Sequence, residues 1–367
     1  MPRLRAFAGA LAALVLAAPL SAQTVTNPDE ITVYFPPLEG ERNLGSNVAM
    51  VLSLQLAQTG RQKPWPDNPL GHDFNTSVMA WSDAPLAAPS HDAAAAAATD
   101  LDLLAQIVVW GDTRSYAGEV IAEVNVTLPR YAKPSACRGD VDPCDYRAAN
   151  LETWTIIEGD SRLSVGPPRR RFGLSAIRLR ADVVDAFGDV EGLPIRSGLR
   201  DGEVLGRTGL DLRFLEFNPQ LPGAPTKVQS RGVTGYVEMP RITERASEYA
   251  DMVGGILQVF RGDWRAARQS FGRVVENPAT RTPLRLDALL YRGMAAFRDG
   301  EDGMADFEAA LALAPYDRRA VQFAVMGHLA RGTEAQRARA SDLLGRQRHL
   351  FEPDDAWFTQ ARRLSSG

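Results

Sequence analysis

The chain has 367 residues, enough for two or three domains rather than one. Its formal net charge is −4, which gives no concentrated basic surface for phosphate neutralisation and argues against a nucleic-acid partner. Two cysteines in this length exclude a densely disulfide-bonded scaffold.

The first residues combine a short positive stretch, Arg3 and Arg5, with an apolar run from Ala6 to Leu20 and the small residues Ser21 and Ala22. That order is the mark of a secretory leader over residues 1–22, with cleavage before Gln23 and a periplasmic destination. The apolar run is shorter than the roughly 20 residues that span a bilayer, so a membrane anchor fits less well. No later stretch is apolar enough to cross, so no transmembrane span is expected after cleavage. Loss of Arg3 and Arg5 takes the net charge to about −6, a modest acidity that favours solubility.

A small α/β domain is expected over residues 23–166. Ile31 to Phe35 is a β-rich run ended by Pro36-Pro37. Leu44, Val48, Val51, Leu52 and Leu56 recur at helical spacing, and Gly60 stops them. A Pro/Asn/Gly-rich loop follows from Arg61 to Thr76. Val78 to Trp81 is a short strand, His91 to Asp100 an Ala-rich helix, and Ile107 to Trp110 a strand. After an Ala117-Gly118 turn, Val120, Val124, Val126 and Leu128 alternate with polar residues, and Thr153 to Ser164 reads as a further strand pair. Strands interleaved with two helices build an α/β layer. The Ile31-Thr-Val-Tyr-Phe-Pro-Pro run, the helix, Val108-Val-Trp-Gly-Asp-Thr-Arg114 and the following strand resemble the TolB amino-terminal-like family of small α/β domains. Here Phe35-Pro36 inverts that family's Pro-Phe order.

Cys137 and Cys144 enclose a turn-rich hexapeptide. In an oxidising compartment so close a pair reads as a disulfide, worth no more than about 2–3 kcal/mol for so small a loop. A redox or metal pair is the alternative; the spacing is wider than Cys-x-x-Cys and no His lies nearby.

Residues 172–242 are expected to form a small barrel. Leu174 to Phe187 reads as a short helix closed by Gly188. Leu193-Pro-Ile-Arg-Ser-Gly198, Gly202-Glu-Val-Leu-Gly206 and Gly232-Val-Thr-Gly-Tyr-Val237 follow in order, and their glycines permit tight turns. The three motifs together are similar to bacterial Src-homology-3-like barrels, in which an aromatic at the place of Tyr236 plugs the core end. Members of that class bind cell-wall peptides or act as packing modules.

Residues 246–367 read as helical. Gly255, then Gly262-Asp-Trp-Arg-Ala-Ala267 and Phe271, and a second run through Ala288, Gly293, Gly300, Phe307 and Ala310, resemble tetratricopeptide repeats. Phe271 and Phe307 lie 36 residues apart, near the period of about 34. The small residues let paired helices approach, and the two Phe rings fill the gap between them. Further helices follow over Asp317 to Ala330 and Glu334 to Leu350, and Asp354 to Leu364 caps the stack. The fold class is therefore α+β multidomain: a small α/β domain, a small β-barrel and a helical-repeat array.

No catalytic, cofactor-binding or metal-binding set stands out. The four histidines, His72, His91, His328 and His349, are scattered and not at ligand spacing from one another or from Cys. Neither Gly-x-Ser-x-Gly nor a phosphate-cradling Gly-Lys-Ser/Thr loop occurs. His72-Asp73 sits in turn chemistry. Asp140, Asp142 and Asp145 lack the Gly and terminal Glu of a calcium loop. Arg169, Arg170 and Arg171 after Pro167-Pro168 read as a solvated turn. The expectation is a non-catalytic adaptor without cofactor, gripping a protein or peptide of the cell envelope, or peptidoglycan, in a groove of the repeats. The alternative is a peptidoglycan hydrolase targeted by the barrel, or a regulator of a cell-wall synthase. Either way the destination is the periplasm.

Overall fold

A computed structural model describes residues 31–41, 43–59, 76–80, 86–100, 105–129, 154–185, 192–199, 201–209, 213–216, 225–238 and 247–366. The leader expected over residues 1–22, Cys137 and Cys144, His72-Asp73 and the Asp140–Asp145 loop lie outside them. Among the described residues no helix is long and apolar enough to cross a membrane. The chain is mixed α+β: a mixed sheet flanked by helices, a half-barrel sheet, a separate hairpin and a carboxy-terminal helical array.

The first sheet has parallel and antiparallel parts. β1 (Ile31–Phe35) pairs in parallel with β2 (Thr76–Ala80) and with β3 (Ile107–Tyr116). A hairpin then joins β3 to β4 (Glu119–Thr127). Its turn holds Ala117 at φ 51° and Gly118 at φ 80°, the left-handed pair that lets a two-residue loop match the twist of the strands. Period-two alternation sorts β1 between two helices. Val33 and Phe35 bury against α1 (Leu44–Thr59), while Tyr34 faces the side of α2 (His91–Asp100) with Ala94, Ala98 and Trp110.

The far edge of this sheet departs from expectation. Residues expected to start a helix at Leu174 instead continue as strands, β7 (Arg171–Gly173) and β8 (Ile177–Arg180), both antiparallel to β4. Ile177 and Leu179 are buried and Arg178 and Arg180 exposed, a strand alternation that apolar content alone does not distinguish from a helix over four residues. Among the described residues of that stretch, Ala181–Asp185, α3, is the helical part. The opening of the 172–242 segment thus belongs to the first sheet.

The half-barrel sheet has the order β10-β9-β13-β12-β11, all antiparallel: β9 (Pro194–Arg196), β10 (Val204–Arg207), β11 (Arg213–Glu216), β12 (Pro225–Ser230) and β13 (Val233–Glu238). Ile195, Val228 and Val237 point inward. Tyr236 does not plug this core. It is half-buried on the other face, because Gly235 and Val237 hold the inward register on either side of it.

Between the two sheets in sequence lies the hairpin β5 (Trp154–Glu158) and β6 (Ser161–Val165). It packs on the helical array rather than on either sheet. The array comprises α4 (Ser247–Arg261), α5 (Trp264–Glu276), α6 (Thr282–Arg298), α7 (Met304–Leu313), α8 (Arg318–Arg331), α9 (Glu334–Arg346) and α10 (Ala356–Ser366). Short connections make successive helices antiparallel neighbours. Asp263, Asp317 and Thr333 cap α5, α8 and α9 by accepting backbone N–H bonds. Glycine sets the closest approaches. A Cβ at Gly255 would lie 2.6 Å from the Phe271 ring, and one at Gly293 would lie 2.5 Å from the Phe307 ring. α1 also packs on α4, where Tyr249 donates to the Leu52 carbonyl at 3.0 Å. One continuous apolar core runs from the first sheet through the hairpin into the array.

Candidate binding face of the helical array

The Gly–Phe contacts do more than close helix pairs. Phe271, seated over Gly255, stacks on Tyr291 of α6 with centroids 5.1 Å apart. That stacking aims the Tyr291 hydroxyl out of the array, where it donates to the Arg169 carbonyl at 2.8 Å. Asp287 stands one helical turn before Tyr291 and so shares its face. Its side chain is 0% exposed and receives two guanidiniums, Arg319 of α8 at 2.7 Å and Arg169 at 3.2 Å. Arg319 also donates to the Pro168 carbonyl at 2.9 Å and is itself held by Asp317.

The chain's own residues 168–175 thus run over the array. Pro168 and Arg169 meet α8 and α6, the Leu174 carbonyl accepts from Arg281 just before α6, and Ser175 donates to Glu248 of α4 at 2.7 Å. Pro167-Pro168 favours extended backbone in this stretch, which has neither helix nor strand from 166 to 170. The three arginines of this run are not a solvated turn. Arg169 pairs with Asp287, Arg170 donates to the Pro129 carbonyl, and Arg171 pairs with Asp92.

Electrostatics fix the donors and acceptors. Burial, reinforced by the nearby Asp287 charge, raises the Tyr291 hydroxyl far above its ordinary value, so it stays a donor. Burial also pushes the Asp287 carboxyl above the ordinary carboxylate value, and the Arg319 and Arg169 guanidiniums hold that rise in check. A carboxylate so enclosed needs a cationic partner, since an unpaired buried charge is costly, and Arg319 is the nearer of its two.

The hairpin occupies a second place on the array. Trp154 lies with its ring centroid 5.1 Å from Phe297, 5.7 Å from Phe307 and 6.2 Å from Phe323. Phe307 is placed by its seat over Gly293. At the hairpin tip Glu158 pairs with Arg337 at 2.6 Å, and Arg337 also donates to the Leu364 carbonyl. Trp154 and Asp287 carried no motif in the sequence. The Phe partners of Trp154 and the Arg169 partner of Asp287 lie more than a hundred residues away, Arg319 lies 32 residues from Asp287, and no local periodicity links any of them.

The remaining candidates are dispersed. His91 contacts Thr127 and the edge of Trp110, His328 bonds Gln336, and His349 meets Tyr316. Among the described residues no three His, Cys, Asp or Glu side chains come together as a metal site. The recess lined by Pro37, Glu39, Leu86, Pro89, Trp110 and Gly111 is too narrow to hold a water molecule. On the half-barrel, edge strand β10 exposes Val204 and Leu205 beside Leu199.

No protein-family model, curated protein or solved structure matches this chain.

Proposed function

We propose that the protein is a non-catalytic adaptor of the cell envelope whose helical array, of tetratricopeptide type, holds extended polypeptide. The observation that carries this reading is the set of side chains on α6 and α8 that take main-chain carbonyls of residues 168 and 169 while Asp287 takes an arginine. Carbonyl bonds grip any extended backbone, and one buried carboxylate adds selectivity for a cationic residue. The half-barrel, similar to Src-homology-3-like modules, is a second contact surface through its exposed β10 edge, and two weak sites on one chain reinforce each other. The leader expected over residues 1–22 supports a periplasmic destination, where a Cys137–Cys144 disulfide would persist.

A library of immobilised peptides cut from envelope proteins tests this function. The full chain is expected to retain a subset rich in Pro and Arg, and Asp287→Asn is expected to lose that subset at least tenfold. Uniform background with both proteins would overturn the reading. Release of soluble fragments from purified sacculi would replace it with a cell-wall hydrolase.

A further inference from the structure

The face that would hold a peptide is already filled by the chain itself. Building on the peptide-holding reading, we infer that residues 166–169 are a built-in competitor: the same face takes, from another molecule, an extended segment carrying a Pro-Arg pair, and Gly166–Arg169 must leave to admit it.

Four observations support displacement over permanent closure. First, the stretch from 166 to 169 carries no strand or helix, whereas pairing to β4 begins at Arg170, whose carbonyl accepts from Leu128. Departure of 166–169 therefore breaks no hydrogen bond of the sheet. Second, Trp154 and the hairpin are seated elsewhere on the array, so the near end of the segment stays anchored. Third, Asp287 keeps Arg319 at 2.7 Å after Arg169 goes, so departure does not strand a bare buried charge. Fourth, the Arg169 side chain is 39% exposed, so its guanidinium is partly hydrated even when docked, and the pair it forms is the weaker of the two. Pro167 and Pro168 also bring no N–H groups that would need new partners on release.

A tethered ligand works at an effective concentration on the order of millimolar. A free peptide sees its affinity reduced by the fraction of molecules that are open. Weakening the tethered ligand should therefore strengthen the free one.

The probe is a fluorescein-labelled peptide with the sequence of residues 164–170, Ser-Val-Gly-Pro-Pro-Arg-Arg, titrated with the full chain and read by anisotropy. The wild type should bind it weakly. Arg169→Ala should bind it at least tenfold more tightly, and adding Asp287→Asn should erase that gain. Arg169→Gln, which preserves side-chain length, serves as a second opening variant should the Ala form fold poorly, with thermal unfolding as the check. If folded Arg169→Ala and Arg169→Gln bind no tighter than wild type, the segment is a fixed strap and the inference falls. Were other peptides still held through Asp287 in the library, the adaptor reading would survive that result; were none held, both would fall.

Discussion

At the scale of single residues, two positions make sharp tests. His91 lies against Trp110 with its Nδ1 2.8 Å from the Thr127 hydroxyl, which also accepts from the Trp110 indole. Burial, then the Arg171 guanidinium, lowers its pKa below 6.5. The folded protein thus favours neutral imidazole. Its contribution is complete above pH 6.5 and is lost as pH falls from there through the depressed folded value. His91→Gln should flatten the difference in melting temperature between pH 7.5 and pH 5.5 relative to wild type; an unchanged difference would remove this role. Glycine gives the second test. Gly293→Ala drives a methyl into the Phe307 ring and should cost roughly 1–3 kcal/mol by overpacking, outweighing the gain of up to about 1 kcal/mol in helix propensity. Gly345 sits on the exposed face of α9 with open space around its Cα, so Gly345→Ala should be neutral or stabilising. Urea midpoints of the two variants should move in opposite directions.

At the scale of elements, the hairpin is the informative piece. Trp154→Ala removes an indole from a three-phenylalanine nest and should destabilise by about 3–5 kcal/mol, read as a lower urea midpoint with unchanged slope. Trp154→Phe should recover much of it, since a ring still fills the nest. The strand pair itself was readable in the sequence, as were α1, α2, the β3–β4 turn and the Gly–Phe helix pairs, because each is written in contiguous residues. The strands at 171–180 were not, since four residues with two buried apolar side chains carry no period of their own. The place of Trp154 was not readable either. A tryptophan at the start of a hairpin looks the same whether it meets a sheet or an array.

At the scale of the molecule, the array and the first sheet are joined through side chains of the linking segment. Arg319 touches Pro168, Asp287 and Asp317 at once, while the same segment continues into β7, which pairs with β4. That long-range geometry explains why the arginine triplet misled: its partners come from α2, α6 and the residues just after β4. It also couples two regions that would otherwise unfold separately. Arg319→Ala should therefore lower hydrogen-exchange protection in β4 as well as in α6, where Arg319 meets Asp287 directly. Tyr249→Phe, which removes only the bond to Leu52 on the α1 side, should loosen α1 and leave the 168–169 contacts protected. If Arg319→Ala weakened α6 alone, the segment would be a passive cover and the sheet would draw no stability from the array.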